Sequence, residues 1–187
     1  MLAASGIEYI DAPVSGGTSG ADKATIAIML ACARSSFERL EPLLRLMGKP
    51  FYVGPKPGQA QAVKVLNNFL SATALAATSE AVAFGTEQGI DMKTILDVVN
   101  ASSGRNSATE DKFLNRILHG RYDAGFTAKL QLKDIRLYLE AARAAGIADQ
   151  IASAVVDQWQ RMEASMPGAD ITDMYRYTRQ RGKLERG

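Results

Sequence analysis

The chain has 187 residues, 47% apolar and 22% charged, enough for one well-buried core, or one domain and part of another, in a soluble globular protein. A formal charge of +2 gives no electrostatic reason to invoke nucleic acid or an anionic membrane, and the sparse aromatics (7%) are not interleaved with a basic run as a single-strand binding groove requires. One cysteine, Cys32, excludes an intrachain disulfide and suits a reducing, cytoplasmic setting; with the lone His119 it leaves no metal-binding cluster.

In chain order, residues 1–4 read as the end of a helix, with no basic-then-apolar leader, and residues 7–11 as a strand. The stretch Asp11-Ala12-Pro13-Val14-Ser15-Gly16-Gly17 follows. A strand running into such a glycine turn exposes consecutive backbone N–H groups, and only glycine lets a ligand approach the main chain so closely. Ser15, Gly16 and Gly17 thus make a small anion cradle, although tight turns of this composition also occur without ligands. Residues 25–31 predict a second strand, rich in β-branched and apolar side chains. Ser35 or Ser36 caps a helix to Met47, with Phe37, Leu40, Leu43, Leu44 and Met47 on one face, Pro42 as a point of breakage and Gly48 as terminator. Residues 51–53 predict a short strand. The run Gly54-Pro55-Lys56-Pro57-Gly58 is the clearest boundary, dividing the chain into 1–57 and 58–187.

Beyond Gly58 the pattern is helical throughout. A long Ala-rich helix is expected from Gln59 to about Gln88; its small residues (Ala72, Ala74, Ala76, Ala77, Ala81, Ala83) imply burial on more than one side. Its apolar part is interrupted by Ser, Thr and Glu80, so it is no membrane span. Further helices are expected at 92–100, 108–118, 128–145 and 151–166, with Asp91 as an N-cap, Gly146 as a helix-ending residue and 101–107 as loop. His119 falls in an exposed turn, and the basic run from Arg176 to Arg186 reads as a solvated tail. The fold class is therefore mainly α, a helical C-terminal domain preceded by a few strands.

Within the long helix, Lys64 and Asn68 lie four apart, on one face and one turn from each other. A lysine beside a carboxamide can grip a hydroxyl or carbonyl, the amine exchanging the proton and the amide holding the oxygen. The same spacing equally describes an ordinary solvated helix face. Lys133-Asp134, in a later helix, means nothing alone.

Together and in order, these pieces resemble the β-hydroxyacid dehydrogenase family, which includes 3-hydroxyisobutyrate dehydrogenase, tartronate semialdehyde reductase and, more remotely, 6-phosphogluconate dehydrogenase. The matching residues are DAPVSGG with Gly20-Ala21, then Gly58, Lys64 and Asn67-Asn68, then Phe126 with Leu132-Lys133-Asp134. The resemblance covers about residues 8–147 and implies strands left from a Rossmann-type domain in 1–57 and a helical substrate and dimerisation domain in 58–187. It also implies roles. Ser15, Gly16 and Gly17 would bind the substrate carboxylate, Lys64 would be the general acid/base, and Asn68 would hold the reacting oxygen. Lys133 and Phe126 would lie at the NAD or NADP cofactor. A lysine with a reference pKa of about 10.4 must be desolvated or set near another cation to act as a base near neutrality, and Lys133 is the candidate cation.

Some positions depart from the family pattern. Ala60 and Ala24 stand where glycines are usual, and Ala31-Cys32 where a glycine pair is frequent. The loop with Arg105 and Asn106 falls where members vary with substrate. The larger departure is that the dinucleotide fingerprint Gly-x-Gly-x-x-Gly, between a strand and a helix, is absent from these residues. The expectation is a β-hydroxyacid dehydrogenase piece, inactive by itself, binding cofactor weakly or not at all and self-associating as a homodimer or higher oligomer. The alternative is a non-catalytic helical dimerisation or binding module of the same ancestry. Imine reduction is a third reading, against which Lys64 argues.

Overall fold

The computed structural model describes residues 5–184, and the chain divides into two compact units, Met1–Asn67 and Asn68–Gly187. The expected helix end at 1–4 and the last basic residue, Arg186, lie outside the described residues.

The first unit is built on one small sheet in the order β1-β2-β3. Its centre is β2 (Ile26–Ala31), antiparallel to β1 (Val14–Ser15) and parallel to β3 (Gly48–Gly54). The parallel pair needs a crossover, supplied by α2 (Arg34–Leu44); a short α1 (Gly17–Asp22) follows the glycine turn. Both faces of β2 are covered. Ile26, Ile28, Leu30 and Cys32 pack with Phe37 of α2, and Met29 and Ala31 pack with Ala60 and Val63 of the next helix. A strand covered on both faces is why residues 25–31 read as an almost unbroken apolar run.

Three expectations for this unit need correction. Residues 7–10 form no strand, and only Asp11 bridges to Ala31. That bridge shares its register with Val14 opposite Ile28, which would place Ile10 and Tyr9 opposite Cys32 and Ala33, where the chain is already leaving the sheet for α2. The second helix starts at Arg34 with Ala33 as its N-cap and stops at Leu44. Ser36 is not a cap; its hydroxyl donates to Glu8. Pro42 lies in the last turn, after which a tight turn (Leu46 N–H to Leu43, Met47 N–H to Leu44) leaves Leu43, Leu46 and Met47 exposed rather than on a buried face. Gly48, the expected terminator, opens β3 instead, opposite Ile26.

The long helix α3 (Gln59–Glu87) begins in the first unit and continues into the second. The second unit then adds α4 (Met92–Asn100), α5 (Ala128–Ala144), α6 (Gln150–Ser165) and α7 (Met174–Leu184). Their apolar stripes meet in one cluster that includes Leu75, Val82, Leu96, Phe113, Ile135, Trp159, Met162 and Met174. Trp159 is fully buried, and its indole N–H donates to the Ala72 carbonyl at 3.3 Å. Along α3, Ala72 and Ala76 are buried and Ala74 and Ala83 half-buried, while Ala77 and Ala81 face solvent beside Leu70 and Phe84.

Asp91 caps α4 as expected, accepting from Thr94 N–H at 3.1 Å. Past Ala145, Gly146 N–H reaches the Arg143 carbonyl and Ile147 N–H the Ala142 carbonyl, the double bond pattern of a Schellman ending. The helix expected at 108–118 is not one α-helix. It is a π-helical turn (Ala108–Phe113) followed by a 3₁₀ turn (Ile117–His119). No helix among the described residues is long and apolar enough to cross a membrane.

Candidate active site

In the first unit, Ser15 is half-buried and its backbone is held opposite Ala27, while Gly16 and Gly17 are exposed beyond it. Their φ values of 136° and 61° are open to glycine and strained for other residues, and a Cβ on Gly16 would lie 3.2 Å from the Ile26 Cα. Four residues before Ser15 lies Asp11, whose side chain the sequence reading left without a role. It is 2% exposed. Its Oδ2 accepts from Gly58 N–H at 2.9 Å and Gln61 N–H at 3.2 Å, and its Oδ1 from Gln61 Nε2 at 2.9 Å. Gly58 immediately precedes α3 and Gln61 lies in its first turn, one turn before Lys64 on the same helix. Lys64 is half-buried.

In the second unit, Asn68 is buried on α3 and donates from Nδ2 to Asp134 Oδ2 at 2.6 Å. Lys133, exposed on α5, sets its Nζ 2.8 Å from Asp134 Oδ1. Gln131, also buried on α5, donates to the Asn68 main-chain carbonyl at 3.0 Å. The Asp134 carboxylate thus brings Asn68 and Lys133 together, and it fixes which way the Asn68 carboxamide faces, with Nδ2 toward α5. Charge-assisted bonds of this kind are the strong ones. Phe126 is half-buried just before α5. Asp170 holds it there: its Oδ2 accepts from Gly125 N–H at 2.8 Å and Phe126 N–H at 3.3 Å, while Phe126 offers its carbonyl to Ile171 N–H at 2.9 Å.

The other candidates sort plainly. Asn106 holds its own loop: its Oδ1 accepts from Ala108 and Thr109 N–H groups at 2.8 and 3.2 Å, and its Nδ2 donates to Gly104 and Thr78. Arg105 is exposed, 3.7 Å from Glu110. His119 is exposed at the end of a 3₁₀ turn. Cys32 is buried in the sheet unit, and burial, helped by the Glu8 carboxylate, pushes its thiol above the ordinary range, away from nucleophile chemistry. Among the described residues no group of His, Cys, Asp and Glu could hold a metal ion. Of the departures noted in the sequence, Ala60 is fully buried against Met29 and Ala31, where its methyl fills space. Ala24 is the one non-glycine residue at positive φ (53°) among the described residues.

Residues 58–178 match the family described as NAD-binding of NADP-dependent 3-hydroxyisobutyrate dehydrogenase, and residues 1–54 that described as the NAD binding domain of 6-phosphogluconate dehydrogenase. Over 182 residues the chain is 36% identical to 2-(hydroxymethyl)glutarate dehydrogenase of Eubacterium barkeri, covering 87% of this chain and 60% of that protein. Over 146 residues it is 38% identical to the NAD-dependent L-serine dehydrogenase of Pseudomonas aeruginosa, covering 74% and 49%. The solved 3-hydroxyisobutyrate dehydrogenase of Mycobacterium tuberculosis, with L-serine, resembles it with a TM-score of 0.81 at 28% identity, over 91% of this chain and 60% of that one. The chain therefore spans between 49% and 60% of the length of these relatives. With one of its two family matches running from residue 58 to residue 178, the chain belongs to the β-hydroxyacid dehydrogenase family of 3-hydroxyisobutyrate dehydrogenase.

Proposed function

We propose that this chain provides the substrate-holding and proton-transferring part of an NAD(P)-dependent oxidoreductase that oxidises small β-hydroxyacids or reduces the corresponding semialdehydes. Residues 1–57 would be the end of its dinucleotide-binding domain and 58–187 its helical substrate and dimerisation domain. The observation that carries the reading is the buried Asp134 carboxylate with Asn68 at 2.6 Å and Lys133 at 2.8 Å. A bare solvated helix face would not bury an asparagine and tie it to the lysine-aspartate pair of another helix.

In this reading the N–H groups of Ser15, Gly16 and Gly17 and the Ser15 hydroxyl take the substrate carboxylate. Lys64 Nζ accepts the proton of the hydroxyl being oxidised and returns it in the reverse direction. Asn68, its amide oriented by Asp134, holds that oxygen in place, which lowers the barrier by positioning. The chemistry that NAD or NADP would supply when bound is that of a hydride acceptor, with Lys133 and Phe126, a cation and a flat aromatic, as the residues that would hold its nicotinamide end. Nothing in the 187 residues has the Gly-x-Gly-x-x-Gly context that cradles its pyrophosphate, so the chain by itself is expected to bind NAD(P) weakly or not at all and to be inactive.

Self-association as a homodimer or higher oligomer belongs to the same reading. Leu66, Leu70 and Phe84 stand exposed along α3, and Ile7, Tyr9, Leu46 and Phe51 on the sheet unit; a monodisperse monomer by light scattering would count against it. A reducing, cytoplasmic setting suits the buried, unpaired Cys32.

Two measurements test the reading. Titrating the chain with NADH and NADPH should change neither ligand fluorescence nor melting temperature appreciably, since a bound ligand must raise stability. Joining it to the part of the Eubacterium barkeri relative that lies outside the match should give a protein that binds the cofactor and turns over small β-hydroxyacids. A folded, cofactor-binding fusion inactive on a panel of such acids would refute the assignment.

A further inference from the structure

We infer that Asp11 is a positioning residue for Lys64: one buried residue holds, by its main chain, the segment that leads to Ser15-Gly16-Gly17 and, by its carboxylate, the start of the helix bearing the lysine. This rests on the reading of Lys64 as the acid/base.

The first turn of a helix leaves N–H groups without carbonyl partners, and a local serine, threonine, aspartate or asparagine ordinarily takes them. Here the residues leading into α3 are Lys56, Pro57 and Gly58, which offer no side-chain oxygen. The cap comes instead from Asp11, 47 residues from Gly58 and 50 from Gln61 in sequence. The main chain of Asp11 is itself locked to the end of β2, its N–H donating to the Ala31 carbonyl at 3.2 Å and its carbonyl accepting from Ala31 N–H at 2.9 Å. The carboxylate is therefore a fixed point, buried and accepting three donors, as a buried charge must be. Side chains on a helix lean toward its N-terminus, so Lys64 lies over the turn that Asp11 pins. Without that pin the turn frays and the lysine loses its fixed bearing on the Ser15-Gly16-Gly17 segment.

The test is chemical labelling of lysines in the 187-residue chain. Wild type and Asp11→Ala are treated with a limiting acetylating reagent at one pH, and peptide mass spectrometry gives the rate at each lysine, with Lys93 and Lys129 as internal references. Circular dichroism establishes that the variant is folded. Lys64 is expected to be modified roughly fivefold faster in Asp11→Ala, the equilibrium factor of a typical lost N-cap, with the references unchanged and the Gly58 and Gln61 amides exchanging faster. An unchanged Lys64 rate in the folded variant overturns the proposal. Should Asp11→Ala not fold, Gln61→Ala removes one of the three donors: a smaller acceleration confined to Lys64 supports the proposal, and none overturns it. Labelling involves no turnover, so its failure leaves the acid/base reading of Lys64 standing, and an inactive fusion, which would remove that reading, does not alter the labelling result.

Discussion

The two units are stabilised in different ways. The largest fully buried side chains of the helical unit include Trp159, Phe113, Leu96, Ile135, Met162 and Met174, whereas in the sheet unit they are Ile28, Leu30 and Asp11. One unit is held by a broad apolar core that also encloses polar groups such as Asn68, Gln131 and Asp134. The other has a thin core on each face of β2, with a carboxylate among its most buried groups. Hydrophobic stabilisation follows buried area, so the helical unit owes most to packing and the sheet unit relatively more to polar bonds between segments far apart in sequence.

That contrast can be broken by substitution. The largest effect is expected from Trp159→Ala, a loss of about 3–5 kcal/mol in urea unfolding, against a loss toward the lower end of about 2–5 kcal/mol for Leu30→Ala in the thinner core around β2. A costlier Leu30→Ala would reverse the ranking. Asp134→Ala should come next, at about 1–3 kcal/mol, because it removes the charged acceptor of the buried Asn68 Nδ2. Asp134→Asn should recover part of this, since its carbonyl oxygen can still accept; equal losses for the two would mean the bond to Asn68 is not what matters.

Smaller is Ala24→Gly. Ala24 is exposed at φ 53°, so glycine relieves backbone strain and sacrifices no packing, and a gain of about 0.5–1 kcal/mol is expected. Unchanged or lower stability would show the strain to be absent.

The smallest effect is a pH dependence in the helical unit. Burial pushes the Asp170 carboxyl up, but the Thr172 hydroxyl and the backbone N–H groups of Thr172, Ala124 and Gly125 outweigh it and hold the group below its ordinary value. A depressed folded value means the contribution is fully present above the ordinary aspartate range, about 3.9, and is lost as pH falls through the folded value. Stability should therefore decline below about pH 4, and less steeply in Asp170→Asn. An identical slope in the variant would remove Asp170 from the account.

What the sequence made legible was local. The length of α3, the cap at Asp91, the ending at Gly146 and the glycine turn each depend on residues a few positions apart. What it hid depends on pairing at long range. Residues 7–10 have the composition of a strand, yet β2 offers them no partner past Ala31. The π-helical turn at Ala108–Phe113 answers to the amide of Asn106 accepting from Ala108 and Thr109, which no apolar periodicity records. At the site, Lys64, Asn68 and Lys133 were candidates by family motif, but Asp11 and Asp134 had no role assigned. Their partners stand 47 and 66 residues away, and an aspartate read in isolation looks the same whether it is solvated or buried.

The central claim is that Lys64 moves the proton in a hydride-transfer reaction. Its most direct test is Lys64→Ala in the chain joined to the part of the Eubacterium barkeri relative outside the match, with turnover of a small β-hydroxyacid and NAD(P)H affinity measured on the same preparation. Turnover is predicted to fall by about two to four orders of magnitude, the usual worth of a positioned acid/base, with cofactor affinity nearly unchanged. Turnover retained in the folded variant would contradict the claim.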